Sequence, residues 1–264
     1  MLFAERRVII MKSIDRKHVV EEFAAYTANY NPENPKIKLK IDHTYRVASM
    51  AETIAKSIVS QYPWLDIDMT WLCGMLHDIG RFEQVRRYDT FTDSLSVDHA
   101  QFGADLLFQE GLLEKFGKFT DEERKVLEIS IRNHSVYRID ENLSEEMKVY
   151  CRVLRDADKV DIFRINCDTP LEDIYNVTTE ELKTASVSPE VKQCFLERHA
   201  VLRHLKKTAV DHSAAHVCLL FELEYPKSRK LAKEQGYLDK MLELESDNPD
   251  TAEWFRYMRE NIWK

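Results

Sequence analysis

Residues that end helices or form tight turns are scarce in this chain. Only 6 glycines and 7 prolines occur among its 264 residues. Because these residues most often interrupt regular structure, their scarcity favours long helices and disfavours a protein of many short strands. Between the prolines, apolar residues recur at helical spacing in most segments. The sequence therefore predicts an all-α protein.

The first helices are predicted over residues 16–30, about 38–60 and 66–76. Residues 82–97 have no clean period, so we expect a connection there rather than a packed element. Asp98 is a predicted N-cap of the next helix, and Thr120 begins a capping-box pattern with Glu123. Ser144 is the predicted N-cap of a helix that leads into residues 156–161.

The chain is predicted to stay helical after Pro170. The expected helices cover about 171–184, 188–208, 212–224, 227–243 and 249–262, separated by further prolines. No internal repeat, low-complexity tract or flexible linker interrupts the sequence. We therefore expect one domain over residues 1–264.

The charge balance is acidic, with 38 Lys and Arg against 46 Asp and Glu and a net charge of −8. This excludes a general basic field that would hold a nucleic-acid duplex. The 5 cysteines are scattered and contain no C-x-x-C pair, as in a reduced cytosolic protein.

Two observations argue against a membrane or secreted protein. No apolar stretch approaches the ~20 residues that cross a bilayer. Glu5-Arg6-Arg7 stands where a signal peptide would have its apolar region. We expect a cytoplasmic protein that does not bind membranes. The sequence also allows a homo-oligomer, because the aromatic residues at the C-terminus suit either a core or an oligomer surface.

An apolar run over residues 71–76 leads into the adjacent pair His77-Asp78. Neutral imidazole and carboxylate suit a divalent metal, although a pair alone more often marks a buried histidine with a hydrogen-bonded neighbour. Other histidines and aspartates stand near the ends of predicted helices, and helical bundles build metal sites from such inward-facing ligands. These further candidates are His43, His99, His134 and Asp158.

Three motifs, HTYRV (43–47), GMLHDIGR (74–81) and DADKVD (156–161), occur in this order with helices between them. Together they resemble the HD-domain superfamily of metal-dependent phosphohydrolases. The resemblance covers about residues 38–165. It implies an HD-domain-like helical bundle as the metal-binding core, followed by a C-terminal helical extension over about 170–264.

The resemblance also implies a ligand set. In the family a histidine, a His-Asp pair and a distal aspartate bind one metal, which here gives His43, His77, Asp78 and Asp158. Asp158 is preferred to Asp156 because the family's ligand usually stands in an Ala-Asp-Lys/Arg setting, found at 157–159.

His99 and His134 resemble the two extra histidines of the dinuclear family members, in which Asp78 would bridge. We therefore expect one or two divalent transition-metal ions, with Fe, Mn, Co, Ni and Zn suited to these ligands and Mg also compatible. Imidazole ligands need partners that orient them. The candidates for that role are Asp42, Asp98 and Asp161.

Basic residues next to these motifs could bind a phosphate, because arginine forks match its oxygens. Arg81 and Lys159 are the first candidates, and with Asp78 they form the predicted catalytic set. Each could equally be solvated surface charge. The full set of predicted substrate ligands is Arg46, Arg81, Arg86, Arg87 and Lys159.

We expect a metal-dependent phosphohydrolase that cleaves a phosphoester of a small molecule with a metal-activated water, a nucleotide being the first substrate class to consider. A mixed-valence di-iron oxygenase would use the same ligands. A non-catalytic metal- or nucleotide-binding sensor is the third hypothesis.

Two other histidines have metal-ligand spacing. His212 and His216 stand at i and i+4, but the glutamate of an H-E-x-x-H motif does not follow His212. We interpret them as a packing or capping pair.

Overall fold

A computed structural model describes residues 14–264, and its regular elements are helices with no strand among these residues. The predicted all-α class is confirmed. The chain forms two compact units, one ending at Leu154 and one covering Arg155–Lys264. The expectation of a single domain stays a prediction. The argument against a signal peptide concerns residues 1–13 and lies outside the described residues.

The first unit contains seven helices and the start of an eighth. They are α1 (Arg16–Thr27), α2 (Pro35–Ile58), α3 (Ile67–Leu76), α4 (Ile79–Tyr88), α5 (His99–Phe108), α6 (Leu113–Phe116), α7 (Asp121–Asn133) and α8 (Glu145–Asp168). A short 3-10 helix, Asp93–Leu95, lies between α4 and α5. Helix α3 packs against α2 and α7, and α5 packs against α4 and α7.

The predicted helix starts are confirmed at three caps. Asp98 accepts hydrogen bonds from the backbone at the start of α5, including Ala100 N at 3.0 Å. Thr120 and Glu123 form both bonds of the capping box at the start of α7. Ser144 Oγ accepts from Met147 N at 3.3 Å at the start of α8.

The predicted connection over residues 82–97 is wrong for its first half, because residues up to Tyr88 belong to α4. Phe82 and Val85 are buried and stand at helical spacing with Ile79. That short apolar pattern was the signal for a helix. The helix ends at Tyr88, because Asp89 adopts the left-handed conformation with a φ of 49°.

Two glycines allow the helices around the His-Asp pair to pack at close range. A Cβ atom on Gly74 would lie 2.5 Å from Ala48 Cα, so α3 and α2 meet backbone to backbone. A Cβ atom on Gly80 would lie 2.6 Å from the carbonyl oxygen of His99. Close approach at these points requires glycine. It brings the residues between them, 77 and 78, near α2 and α5.

The second unit is built from shorter helices. They are the C-terminal part of α8, then α9 (Leu171–Tyr175), α10 (Thr179–Thr184), α11 (Pro189–Leu196), α12 (Ala209–Val217), α13 (Pro226–Gln235), α14 (Tyr237–Met241) and α15 (Pro249–Asn261). Two 3-10 helices, Arg203–Leu205 and Cys218–Glu222, flank α12. No helix within residues 14–264 is both long enough and apolar enough to cross a membrane.

The predicted helix over 188–208 is wrong beyond Leu196. Arg198 has a φ of 59°, which turns the chain out of the helical conformation. The segment that follows is tied to α12 by Asp211, whose carboxylate accepts from Ser188 N at 2.7 Å and from Lys207 N at 2.8 Å. This buried carboxylate fixes the start of α12 relative to α11.

The close contact at Gly80 gives a testable consequence. We expect Gly80→Ala to lower the free energy of unfolding by at least about 2 kcal/mol, because the added methyl group meets the backbone of α5. Gly111→Ala is the matched control: it has a φ of 79° and no atom within 4 Å of an added Cβ, so it should cost only about 1 kcal/mol of backbone strain. Urea unfolding measures both, and equal losses would contradict the packing argument.

Candidate metal centre

Asp78 stands between α3 and α4, where the chain leaves one helix and starts the next. Its side chain is buried, and so are the four histidines around it: His43, His77, His99 and His134. Charged and polar side chains are rarely fully buried unless they have partners. The five groups thus form a polar centre inside the first unit.

The two carboxylate oxygens of Asp78 face different pairs of histidines. Oδ2 lies 3.5 Å from Nε2 of His43 and 3.5 Å from Nε2 of His77. Oδ1 lies 3.5 Å from Nε2 of His99 and 3.6 Å from Nε2 of His134. Each half of the carboxylate, with its two rings, forms a group of ligand atoms compatible with a metal ion. Asp78 belongs to both groups.

Three of the rings are oriented through their other nitrogen. Nδ1 of His77 donates to Gly74 O at 2.8 Å, and Nδ1 of His134 donates to Ile131 O at 2.7 Å. Nδ1 of His99 bonds Asp93 Oδ2 at 2.8 Å. A proton on Nδ1 leaves Nε2 of a neutral ring with a free electron pair, which is the form that binds metal.

The donor set fits a divalent cation. Nε2 of His99 and Nε2 of His134 lie 3.0 Å apart, and those of His43 and His77 lie 3.3 Å apart. In neutral rings with the proton on Nδ1, as for His99 and His134, two Nε2 atoms at this distance repel each other unless a cation accepts both electron pairs. Burial, with help from Arg81, lowers the pKa of His99 to about 4.

Asp78 itself is held in its charged form. Burial opposes ionisation, but Lys40 and the neighbouring histidines hold the pKa of this carboxyl well below its usual range. Lys40 Nζ lies 2.6 Å from Asp78 Oδ2 and is itself nearly buried. Sequence reasoning missed Lys40, although its position three residues before His43 places both on one side of α2.

Asp93 is the second residue that sequence reasoning missed. It bonds His99, and its other oxygen accepts from Arg81 Nη1 at 2.8 Å. Asp98 was predicted both to orient a ring and to cap a helix, and the structure shows it capping α5. Asp42 is exposed on α2. The orienting carboxylate for His99 therefore comes from the connection before α5.

Arg81 makes most of its hydrogen bonds around that connection. Its Nη1 donates to Gln84 Oε1 at 2.7 Å and to Phe91 O at 2.7 Å, besides Asp93. Its Nε lies 3.7 Å from Asp78 Oδ1 and is buried without a hydrogen-bond partner among the described residues. One donor of Arg81 is thus directed at the centre and remains available.

Arg86 and Arg87 are directed elsewhere. Both bind the buried carboxylate of Glu83, through Arg86 Nη2 at 2.7 Å and Arg87 Nε at 2.5 Å. The guanidinium of Arg86 also lies 5.3 Å from the centre of the Tyr30 ring. Their predicted role as phosphate ligands stays a prediction, and the structure gives both another function in holding α4.

The remaining predicted residues lie on two helices. Arg46 is on α2, one turn after His43. Asp158, Lys159 and the buried Asp161 are on α8 within the second unit. Burial, and then Arg155, lower the pKa of Lys159 to about 8. The assignment of Asp158 as a ligand and of Lys159 as a catalytic residue stays a prediction.

The fold and this centre define an all-helical protein whose buried imidazoles and carboxylate are compatible with metal binding. Residues 41–162 match the family model of the HD domain. The resemblance drawn from the three motifs is confirmed. The match spans all six predicted metal ligands. No curated protein and no solved structure matches the chain.

We expect Asp93→Ala to weaken binding of a divalent ion by about 10- to 100-fold, because His99 loses the carboxylate that orients its ring. Isothermal titration of metal-free protein with Zn²⁺ or Mn²⁺ measures the affinity. Asp89→Asn is the control, since this exposed carboxylate pairs with Lys36 and asparagine tolerates its left-handed conformation. Unchanged affinity in the Asp93 variant would exclude an orienting role.

Lys40 should act against metal binding. Its ammonium competes for Asp78 Oδ2, and two unit charges about 4 Å apart interact by roughly 1–4 kcal/mol. We therefore expect Lys40→Met to raise divalent-ion affinity by about tenfold or more. Lys36→Met, one turn earlier on α2, removes an amine paired with Asp89 and should leave the affinity unchanged. The same titration tests this, and weaker binding in Lys40→Met would contradict the competition.

Proposed function

We propose that the protein is a metal-dependent hydrolase that cleaves a phosphoester of a small molecule. The observation that carries this proposal is the shared carboxylate of Asp78, with one histidine pair on each oxygen. A bridging carboxylate between two imidazole pairs suits two divalent ions held close together. The HD-domain match supports the same class of chemistry.

The residues would divide into two sets around the shared carboxylate. His43 and His77 would hold one ion with Oδ2 of Asp78, and His99 and His134 would hold the other with Oδ1. Asp158 is proposed as a further ligand of the first ion. When bound, such ions supply Lewis acidity towards a phosphoryl oxygen and make water more acidic. Fe, Mn, Co, Ni and Zn suit the imidazole-rich set, and Mg is also compatible.

The chain's own cations would bind the substrate. Lys40 Nζ is 2.6 Å from one oxygen of Asp78, and the available Nε of Arg81 is 3.7 Å from the other. A phosphoryl group at the centre would place its negative oxygens between these two donors. Arg46 and Lys159 are proposed as further substrate ligands. Together these residues would orient the phosphate and offset its charge.

A nucleotide is the substrate class that we propose to test first. Of such a substrate, the described residues of the centre account only for binding of the phosphate. The acidic balance of the chain, with a net charge of −8, supports a small ligand over a nucleic-acid duplex. The base and sugar would then be selected by residues other than those of the centre.

Replacement of Asp78 tests the proposed function. In Asp78→Ala we expect the metal content and the rate of phosphate release to fall more than about a hundredfold, because removing an outer partner already costs up to that much. Metal analysis of anaerobically purified protein, followed by a phosphoester panel with those metals restored, measures both. Asp105→Ala is the control, since its side chain is 41% exposed and pairs with Arg132.

Two outcomes would contradict the hydrolase proposal. Unchanged metal content and unchanged phosphate release in Asp78→Ala would mean that the centre lies elsewhere. Two irons per chain, with oxygen consumption and no phosphate release from the panel, would favour the oxygenase that shares these ligands.

A further inference from the structure

The first unit contains a cavity lined by Arg86 and Arg87, which we call the Arg86 cavity. Its walls come from α1, α4, α5, α6 and the connection between the last two helices. Its volume is about 320 Å³, at the lower end of the range of small-molecule pockets, roughly 300–1,000 Å³. None of the residues proposed to bind metal or substrate at Asp78 is among the described residues that line it.

One buried carboxylate holds both arginines at the wall of the cavity. Oε1 of Glu83 accepts from Arg86 Nη2 at 2.7 Å and from Arg87 Nε at 2.5 Å. Burial opposes ionisation of Glu83, but the two arginines hold the pKa of this carboxyl below its ordinary value. One negative charge therefore meets two positive charges, and an excess positive charge is left at this wall.

Aromatic rings fix the two guanidinium groups further. The guanidinium of Arg86 lies 5.3 Å from the centre of the Tyr30 ring, and that of Arg87 lies 5.2 Å from the centre of the Phe102 ring. The Tyr30 hydroxyl donates to the hydroxyl of Tyr26 at 2.8 Å, which holds the ring under Arg86. Side chains held in this way lose less freedom when a ligand binds.

Both arginines keep donors that the protein does not use. Arg86 bonds Glu83 through Nη2 alone, and Arg87 bonds it through Nε alone. Within residues 14–264, Nε and Nη1 of Arg86 and both Nη atoms of Arg87 make no hydrogen bond. The two side chains are 56% and 51% exposed, so a ligand in the cavity can reach them. Paired N–H donors of a guanidinium match the oxygens of a phosphate.

Lys115 is a third cation at the cavity. It is exposed, and its ammonium makes no hydrogen bond and no ion pair in the part of the chain that the structure describes. Glu110 is the opposing exposed carboxylate, since Glu83 is already bound by both arginines. The remaining positive charge favours a ligand group with two negative charges, such as phosphate, over a singly charged carboxylate.

The rest of the cavity is less polar. Tyr30, Leu106 and Leu112 line it beside the charged groups. Tyr30 and Leu106 are each 8% exposed, so they form a packed wall rather than mobile surface side chains. A charged end next to an apolar wall is typical of pockets that bind small organic molecules.

We propose that the Arg86 cavity is a second ligand site, which binds the phosphate group of a small organic molecule away from the metal centre. Arg86 and Arg87 bind the phosphate oxygens with the donors that Glu83 leaves free, and Lys115 adds positive charge. Tyr30 and the two leucines contact the organic part of the ligand. The site does not depend on any phosphoester being hydrolysed at Asp78.

Nuclear magnetic resonance of the arginine Nε–H groups tests the proposal on the full chain loaded with diamagnetic Zn²⁺. Phenylphosphonate, whose P–C bond resists hydrolysis, is added against chloride at constant ionic strength. The signals of Arg81, Arg86 and Arg87 are assigned with Arg→Lys variants. We expect saturable shifts of the Arg86 and Arg87 signals, with an affinity that differs from the one reported by Arg81 at the metal centre. Inorganic phosphate should bind the cavity several-fold more weakly, because it lacks the apolar ring.

Three variants show which cations bind the ligand. In Arg86→Met the affinity reported by Arg87 should fall about tenfold, the loss expected for one charge-assisted hydrogen bond. Lys115→Met should lose about two- to fivefold, as expected for an exposed charge. Lys118→Met is the matched control, because this nearby lysine is exposed and is not among the described lining residues. Its affinity should equal that of the unmodified protein.

Several results would overturn the proposal. One is the absence of saturable shifts at Arg86 and Arg87, and another is an equal loss in Lys115→Met and Lys118→Met. Shifts at Arg86 and Arg87 that follow Arg81 with one shared affinity would mean a single site at the metal centre. Benzoate that binds as tightly as phenylphosphonate would overturn the assignment to a phosphate. The Arg81 signal and phosphate release report on the proposed hydrolase separately.

Discussion

The first unit depends on one buried carboxylate that faces two pairs of imidazoles. Asp78 can occupy this position because the chain leaves α3 and enters α4 at that residue. The glycines on either side, Gly74 and Gly80, let both helices approach their neighbours at backbone distance. A larger residue at either point would move the carboxylate away from α2 or α5. The close packing of α3 and α4 against their neighbours thus positions a single side chain, that of Asp78.

Burying charged and polar groups costs free energy, and the contacts of this centre limit that cost. Three of the rings satisfy Nδ1 with a backbone carbonyl or with Asp93. The charge of Asp78 is offset by Lys40, which lies within hydrogen-bond distance. The ring nitrogens and carboxylate oxygens converge within the distance that one metal ion spans. This convergence supports a metal centre better than a purely structural core.

Much of this could be predicted from the sequence, because the signals were local. Helix caps such as Asp98 and Thr120 depend on neighbouring residues alone. The four histidines and Asp78 were found from motif order, and the structure brings them together.

The missed features depend on distant partners. Asp93 reaches His99 only after the connection folds back over α4, and Lys40 meets Asp78 across 38 residues of sequence. The role of Arg86 and Arg87 was uncertain for another reason, since their partner Glu83 lies within one helical turn. Their proximity in sequence to the His-Asp pair suggested phosphate binding, whereas both bind Glu83 on α4.

The central claim is that one carboxylate serves two separate histidine pairs. The most direct test is the number of divalent ions bound per chain, measured in the unmodified protein, in His43→Gln and in His99→Gln. Two ions in the unmodified protein and one in each variant would agree with two sets around Asp78. One ion in the unmodified protein, retained in His99→Gln, would contradict it.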